Sequence, residues 1–347
     1  QPALAQLPST TLVGMAGLLP GAGTGLRLAR TENGVVPHID EQPVGNVSQR
    51  MAVIQKRYGQ RFQEGRLEKF VRNGFEVGAD VDLLVLRSVE IDSQFENNPE
   101  GAPAEIINAL KRIRVAVHKL KEAGFSEVVI ATDHGFFMNT HAGAGDTCTK
   151  STGNWLNVHD RCLLGEGGGD GHHYVLSAEK AGIRGDYGSI AGPLTMAAYQ
   201  SGVQYFHGGA SLQECIVPVI TLQLETASEA PADDSRVVLT YRNGAKRITT
   251  RLPVVEIGVE AKDLFAQARE FEIMLEAYDK SGEVVGEAKP GGPVDAVAGT
   301  ITLKPGEKVQ ITLKMQMEFE GRFKVKALNP STMKVYDQIE LETDYTV

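Results

Sequence analysis

The spacing of hydrophobic and polar positions over residues 81–132 predicts a strand, a helix and a second strand. The run VDLLVLRSVEI (81–91) is apolar and of β type, and the segment 101–124 repeats apolar residues along one helical stripe. The run SEVVIAT (126–132) is apolar again. Because a connection of this length joins parallel strands through a right-handed crossover, we expect both strands to end at the same edge of one sheet.

Charged and imidazole side chains follow both predicted strands. Asp92 and Glu96 come just after the first strand, and Asp133, His134 and Gly135 come directly after the second. In open α/β sheets ligands bind at this edge, and clustered carboxylates and histidines are what divalent metals require. Gly135 is expected to let the backbone turn so that Asp133 and His134 both point inward. Taken one at a time, these polar residues also fit a solvated turn or an exposed helix cap.

A second group of polar residues lies before residue 225. The stretch 139–185 is rich in Gly, Thr, Asn and His, and is expected to be a long surface connection over a site. Arg161 within it is a candidate for neutralising a phosphate, although an arginine in a strand is more often paired on the surface. His207 follows in a glycine-bounded turn before a last apolar strand, where it is either a metal ligand or a packed core histidine.

The pattern changes after Glu225. TASEAPADDS (226–235) has the composition of a linker, and beyond it short alternating runs are separated by turn signals such as 279–282. Regularly spaced strands without helices between them predict a β-sandwich. We therefore expect an α/β domain over residues 1–225, a linker over 226–235 and a smaller β-sandwich domain over 236–347.

Composition and charge narrow the function classes. The chain carries 35 basic and 44 acidic residues, a net charge of −9, which disfavours a broad electrostatic grip on nucleic acid. Binding of a negatively charged phosphate substrate would need a local source of positive charge, such as bound metal ions. The 42% hydrophobic and 23% charged residues are typical of a soluble globular protein, and no apolar run reaches the ~18–20 residues of a membrane span. Three cysteines without a CxxC spacing argue against a disulfide framework or a zinc knuckle and favour a reducing cytoplasm.

These residues resemble a known family. The order Asp92-x-x-x-Glu96, Asp133-His134-Gly135 and then His207 resembles the metal-ligand series of the alkaline phosphatase superfamily. Four longer motifs resemble the PglZ family of bacterial phage-defence (BREX) systems: LPSTTLVGMAGLLPG (7–21), IDSQFEN (91–97), TDHGFF (132–137) and YFHGGASLQECIVPVI (205–220). The resemblance covers most of the chain. It implies an alkaline-phosphatase-like, three-layer α/β/α sheet domain, a β-rich tail after it, and other BREX-type defence proteins as partners.

The resemblance also implies two metal sites. One is formed by Asp92, Glu96 and His207, with Glu96 standing where the superfamily more often has histidine. The added carboxylate favours manganese or magnesium over zinc at this site. The other site takes Asp133, His134, the oxygen of the nucleophile and one further aspartate.

The nucleophile that the resemblance implies is Thr11, three residues after Pro8 at the start of a predicted helix. A helix N-terminus stabilises phosphate oxygens, and a metal lowers the pKa of the hydroxyl. The residues alone favour a plainer alternative, in which Ser9 or Thr10 caps the helix and Thr11 packs. In the superfamily the further aspartate ends a strand upstream of the nucleophile, but QPALAQ has no acid and predicts no strand. We therefore expect either a fragment of a longer protein or a missing ligand, with the second metal bound poorly.

Two functions from different classes follow. The first is a metal-dependent phosphoester hydrolase of a phage-defence system, of phosphodiesterase or phosphatase type, with Thr11 as nucleophile and two ions. Zinc or manganese is expected, with magnesium as the third candidate, and nucleic acid or nucleotides are candidate substrates. The second is a non-catalytic scaffold or interaction subunit of the defence complex with a residual metal site. Neither function involves a membrane.

Overall fold

The protein was analysed as a computed structural model, which describes residues 1–32, 34–72, 74–99, 102–139, 147–202, 204–224, 236–260, 270–296, 298–330 and 333–345. The chain divides into two compact units. The first comprises Gln1–Arg66, Val77–Lys111 and Phe125–Leu224, and the second comprises Leu67–Glu76, Arg112–Gly124 and Glu225–Val347. The predicted linker, 226–235, lies outside the described residues.

Helices are interspersed among the strands along the chain. The α-helices are α1 (Thr11–Gly17), α2 (Ala22–Gly25), α3 (Val47–Tyr58), α4 (Leu67–Val71), α5 (Glu90–Asn97), α6 (Ala102–Glu122) and α7 (Leu212–Cys215). The strands up to residue 224 are β1 (Pro2–Leu4), β2 (Leu26–Thr31), β3 (Gly34–Ile39), β4 (Gln42–Pro43), β5 (Phe62–Arg66), β6 (Leu83–Arg87), β7 (Glu127–Ala131), β8 (Phe137–Met138), β9 (Gly153–His159), β10 (Cys162–Gly167), β11 (His173–Ser177), β12 (Ser189–Pro193), β13 (Tyr205–Phe206) and β14 (Ile216–Gln223). The remaining strands are β15 (Arg236–Thr240), β16 (Arg247–Ile248), β17 (Val254–Glu260), β18 (Phe271–Asp279), β19 (Val284–Ala288), β20 (Thr300–Leu303), β21 (Lys308–Met315), β22 (Arg322–Leu328) and β23 (Val335–Thr343).

The strand–helix–strand order predicted over residues 81–132 is present as β6, α6 and β7. The helix α6 ends just before Gly124, whose backbone φ of +88° suits a helix terminus. The first strand is shorter than predicted, because Glu90 already begins α5, a helix of eight residues that carries both Asp92 and Glu96. In the described part of the chain no helix is both long and apolar enough to cross a membrane.

The expected parallel pairing of these two strands is wrong. The strand β6 pairs in parallel with β5, with Phe62 opposite Leu83, whereas β7 pairs antiparallel with β14, with Val219 opposite Ala131. The described residues contain no pairing between β6 and β7. Each strand takes its partner from a distant part of the chain, and local periodicity carries no information about that choice.

The stretch 139–185 is not the long connection that its composition predicts. From residue 153 it enters a four-stranded antiparallel sheet with the order β11-β12-β10-β9. Leu163, Leu164 and Ile190 of this sheet are fully buried. Some of its glycines lie where strands of this sheet approach closely: a Cβ on Gly165 would lie 2.1 Å from the carbonyl oxygen of Asn154. Gly168, Gly169 and Gly171 instead lie in the connection between β10 and β11.

A short strand also lies before Thr11, where the sequence predicts none. The strand β1 pairs antiparallel with β14, with Ala3 opposite Val217. Its three residues are Pro, Ala and Leu, so it brings no carboxylate to the site.

The second unit is rich in antiparallel strands that share one core. Nine strands among its described residues form one connected sheet with the order β15-β17-β21-β19-β18-β22-β23-β16, and β20 pairs with β18. The sheet curls, so that the backbone N–H of Leu239 on β15 donates to Oδ2 of Asp337 on β23 at 2.9 Å. Alternate residues such as Ile257, Phe323 and Val325 point into the enclosed core. The strand-rich character expected after residue 236 is present.

Candidate functional site

Thr11 lies at the first position of α1, and its hydroxyl meets two of the predicted site residues. Its Oγ1 atom lies 3.2 Å from Oδ2 of Asp92 and 3.0 Å from Nε2 of His134. Thr10 occupies the N-cap position but makes no capping bond, and Ser9 donates its hydroxyl to the carbonyl of Gly209 at 2.6 Å. The plainer alternative, a helix capped by either neighbour, is therefore not what the structure has.

Asp92 is held by an aromatic residue that the sequence did not single out. The hydroxyl of Tyr205 donates to Oδ1 of Asp92 at 2.5 Å. The Tyr205 ring stacks on Phe95 of α5 with 5.1 Å between ring centroids, so one helix carries both the carboxylate and the surface that positions its donor. The sequence does contain this tyrosine in the motif YFHGG, two positions before His207. A tyrosine in an apolar run is, however, typical of the hydrophobic core.

The turn after β7 depends on glycines at two close contacts. A Cβ on Gly135 would lie 2.0 Å from the carbonyl oxygen of Gln213, and the Gly135 N–H donates to the Glu214 carbonyl at 2.8 Å. A Cβ on Gly14 of α1 would lie 2.5 Å from the carbonyl oxygen of Asp133. Gly135 therefore serves close packing against α7, and Gly14 brings α1 against the end of β7.

Two carboxylates and a histidine nitrogen lie close together beside the Thr11 hydroxyl. Nδ1 of His134 donates to the carbonyl of Gly135 at 3.1 Å, so in the neutral ring Nε2 carries the lone pair. That atom lies 3.6 Å from Oδ2 of Asp92 and also 3.6 Å from Oδ2 of Asp133. Burial raises the pKa of Asp133, the nearby Asp92 carboxylate raises it further, and its buried Oδ2 makes no hydrogen bond. Two carboxylates and an imidazole nitrogen facing one space are ligand types that suit a bound cation.

His207 packs directly against His134. The two rings are stacked at 4.2 Å with 5° between their planes, and His207 donates from Nδ1 to the carbonyl of Ser9 at 3.2 Å. Its Nε2 atom is buried and makes no hydrogen bond. Burial first, and then His159 and His134, lower the pKa of His207 to about 3. The ring is therefore neutral at physiological pH, with an unused lone pair on Nε2.

Glu96 lies on the exposed side of α5 and reaches a neighbouring cavity. This cavity has a volume of about 670 Å³, and its lining includes Glu96, His159, Asp160, Tyr205 and His207. Nδ1 of His159 donates to the carbonyl of His207 at 3.2 Å. Asp160 has a raised pKa, mainly because it is partly buried. The sequence missed His159 and Asp160, which directly precede the residue that it selected, Arg161.

Arg161 is buried in an ion pair. Its Nε donates to both carboxylate oxygens of Glu214, at 3.2 and 3.3 Å, and its terminal nitrogens donate to the carbonyl of Thr195 at 3.2 Å. Arg161 is 2% exposed and Glu214 is fully buried. The guanidinium joins its own segment to the segments that carry Thr195 and Glu214. It therefore has a structural role and does not line the cavity.

The donor types fit a hard or borderline divalent cation, although the site is not closed around one. Carboxylate and neutral imidazole are suitable ligands, and Asp133 and His207 each present a buried atom without a hydrogen bond. Among the described residues, however, no three His, Cys, Asp or Glu side chains are already arranged to hold a metal ion. The structure thus brings Thr11, Asp92, Asp133 and His134 together, with His207 stacked beside them and Glu96 at the adjoining cavity.

The chain is similar to known proteins at the level of a family. The sequence profile of the BREX system PglZ alkaline phosphatase-like domain matches residues 1–222. The "alkaline phosphatase-like protein PglZ" of Bacillus cereus (strain H3081.97) is 25% identical over 273 residues, covering 72% of this chain and 30% of that protein. The chain therefore spans about a third of the length of that relative.

Two solved structures show only weak likeness. An alkylpurine DNA glycosylase, AlkC, of Pseudomonas fluorescens bound to abasic-site DNA is 13% identical with a TM-score of 0.19, over 32% of this chain and 30% of that one. A putative beta-galactosidase from Bacteroides fragilis is 13% identical with a TM-score of 0.16, over 62% of this chain and 40% of that one. At these scores neither supports an argument about fold or function.

Proposed function

Since the chain belongs to the PglZ family of BREX-system alkaline phosphatase-like domains, we propose that it is a metal-dependent phosphoester hydrolase with Thr11 as the nucleophile. The observation that carries the proposal is the position of the Thr11 hydroxyl, within 3.2 Å of both the Asp92 carboxylate and Nε2 of His134. The Asp92 carboxylate can accept the hydroxyl proton as the oxygen attacks phosphorus. Tyr205 keeps the Asp92 carboxylate turned toward Thr11.

The proposed ligands fall into two sets. Asp133, His134 and the Thr11 oxygen would hold one ion, and Asp92, Glu96 and His207 would hold the other. When bound, divalent ions stabilise negative charge on phosphoryl oxygens and lower the pKa of a nearby hydroxyl. Neutral His207, with its lone pair unused, and Asp133, with an oxygen that makes no hydrogen bond, support this assignment. Zinc or manganese is proposed, with magnesium as the third candidate.

The substrate, partners and setting are proposals of the same kind. A phosphodiester, in nucleic acid or a nucleotide, is the proposed substrate class, and the net charge of −9 calls for metal ions rather than surface charge to attract it. Other BREX-type proteins are the proposed partners. The three cysteines are all unpaired, which supports a cytoplasmic location. We also propose a catalytic three-layer α/β/α domain over residues 1–225 and a separate β-rich domain, of sandwich type, over 236–347.

The proposal is tested by hydrolysis of an activated phosphodiester, bis(p-nitrophenyl) phosphate, with manganese or zinc supplied. Thr11→Ala is expected to lower turnover by at least ~10³-fold while metal binding, measured by calorimetry, survives. Thr11→Ser is the matched control, because it keeps a hydroxyl at the same position and is expected to retain measurable turnover. Chelation by EDTA should abolish activity, and added metal should restore it. Equal rates for the wild type and Thr11→Ala would remove Thr11 from the mechanism.

A second candidate function is a scaffold subunit with a residual metal site. It is favoured by one observation, the lack of a ready-made set of three metal ligands among the described residues. Manganese binding without turnover of activated phosphomonoesters and phosphodiesters, in this chain and in a longer protein, would support the scaffold. Metal-dependent turnover that Thr11→Ala removes would exclude it.

A further inference from the structure

A basic cavity in the second unit has no part in the proposed hydrolysis. It is lined on one side by the face of α6 that carries Val115, His118, Lys119 and Glu122, and on the other by strands β18, β22 and β23. Its volume is about 480 Å³, enough for several phosphate groups or a nucleotide. In a chain with a net charge of −9, a cavity whose lining carries more cations than carboxylates is a local exception.

The lysines of the cavity come from the alternation of β22. In the run RFKVKAL, Phe323 and Val325 point into the core, so Lys324 and Lys326 point to the opposite face of the sheet. Such a face is usually left open to water. Here α6 lies over it, and Lys326 is only partly exposed.

Three ammonium groups act on one another across this space. Burial lowers the pKa of Lys326, and the neighbouring charge of Lys324 lowers it further. Burial also lowers the pKa of Lys119; the nearby Glu122 carboxylate opposes this shift and Lys326 adds to it. Lys119 is fixed in place, because its Nζ donates to the carbonyls of Val71 at 2.5 Å and Arg72 at 3.0 Å. A bound anion would relieve this repulsion.

The carboxylates nearby do not cancel the charge. The cavity lining contains five cationic side chains, of Lys or Arg, and three carboxylates, which leaves a charge of +2 with His118 neutral. Glu276, the buried carboxylate next to it, already pairs with Arg114 and accepts a hydrogen bond from Tyr278 at 2.5 Å. Within the described residues Lys324 and Lys326 make no hydrogen bond or ion pair, although Lys326 lies 4.5 Å above the Tyr278 ring.

We propose that this cavity is a binding site for a phosphate-bearing anion, held by Lys324 and Lys326 with Lys119 behind them. A phosphate offers several acceptor oxygens on one centre, which suits convergent ammonium groups better than a single carboxylate does. The anion has two possible sources, a small phosphorylated molecule or the backbone of a single-stranded nucleic acid. The site does not depend on the proposed hydrolase function.

The test measures binding of two probes to the whole chain in EDTA, by calorimetry and by fluorescence anisotropy. The probes are inorganic pyrophosphate and a short labelled oligothymidylate. Lys324→Gln combined with Lys326→Gln is expected to weaken binding at least ~10-fold, and added salt should weaken binding to the wild type. Lys289→Gln combined with Lys314→Gln makes the same charge change at two exposed positions outside the cavity, one just after β19 and one in β21, and should leave binding unchanged. Thr11→Ala should also leave it unchanged.

The possible results distinguish the two sources of the phosphate and include results that would overturn the proposed site. Saturable pyrophosphate binding that only the cavity variant weakens, with no matching oligothymidylate binding, identifies a small phosphorylated ligand. Tighter oligothymidylate binding with the same pattern of variants identifies a nucleic-acid backbone. No binding of either probe to the wild type, or equal losses in the two double variants, overturns the proposal. Matching circular dichroism spectra and unfolding midpoints show that the variants are folded.

Discussion

Replacing Gly14 by alanine tests the position of Thr11 while leaving every proposed nucleophile and metal-ligand side chain in the sequence. The added Cβ would lie 2.5 Å from the carbonyl oxygen and 2.9 Å from the carbonyl carbon of Asp133, both backbone atoms that a rotamer change cannot move aside. Ordinary contact begins at 3.4 Å, so α1 must retreat by roughly 0.9 Å. Thr11 moves with the helix, away from His134 and the turn after β7.

The expected losses of catalytic rate and of stability follow from that displacement. A shift of about 1 Å at a reacting atom costs ~10²-fold in rate, which corresponds to ~2.7 kcal/mol of transition-state stabilisation. Overpacking of this kind also lowers the free energy of unfolding by ~1–3 kcal/mol. For a unit of this size the unfolding midpoint should fall by ~2–4 °C per kcal/mol.

The assay compares Gly14→Ala with Gly23→Ala, in kcat/KM for bis(p-nitrophenyl) phosphate and in thermal unfolding. Gly23 lies in the next helix, α2, and a Cβ there would meet nothing within 4 Å, so that variant should behave as wild type. Two results would refute the reasoning. Unchanged stability in Gly14→Ala means that α1 does not pack on Asp133, and reduced stability with full activity means that the placement of Thr11 does not limit the reaction.

Two further predictions concern buried charges. Arg161→Leu leaves the Glu214 carboxylate buried without its cationic partner and should destabilise the protein by ~3–5 kcal/mol in urea unfolding. Adding Glu214→Gln removes the charge but keeps an acceptor for the Ser211 cap, so the double variant should recover much of the lost stability. No recovery would contradict the pairing. The pKa of His207 is about 3 in the folded protein and 6.5 in the unfolded chain. Between these two pH values only the unfolded chain protonates this imidazole. The contribution of His207 to stability is therefore complete above pH 6.5 and is lost toward acid. In EDTA, His207→Asn should lose stability less steeply with falling pH than the wild type, and equal slopes would show that His207 titrates normally.

Sequence motifs identified the residues of the candidate site better than they identified its framework. Thr11, Asp92, Asp133, His134 and His207 were all selected from the sequence, and the structure brings them together. The match over residues 1–222 confirms the predicted family. The site forms even though β6 and β7 are not partners, because Asp92 is delivered by α5 and Asp133 by a turn packed against α1 and α7.

What the sequence determined by itself is local. The repeat of apolar residues every three to four positions specifies α6, a continuous apolar run specifies β7, and alternation with period two specifies β18 and β22. These patterns come from contacts between near neighbours in the chain, so they can be read in a short window.

The tertiary structure alone decided the pairings and the partners. The neighbours of β6 and β7 depend on segments far apart in sequence. So does the burial of Arg161 against Glu214. The hydrogen bond from Tyr205 to Asp92 joins residues 113 positions apart, and the contact from Thr11 to His134 joins residues 123 apart. Such contacts depend on how the whole chain packs, because their energy is gained only after many intervening residues have been ordered.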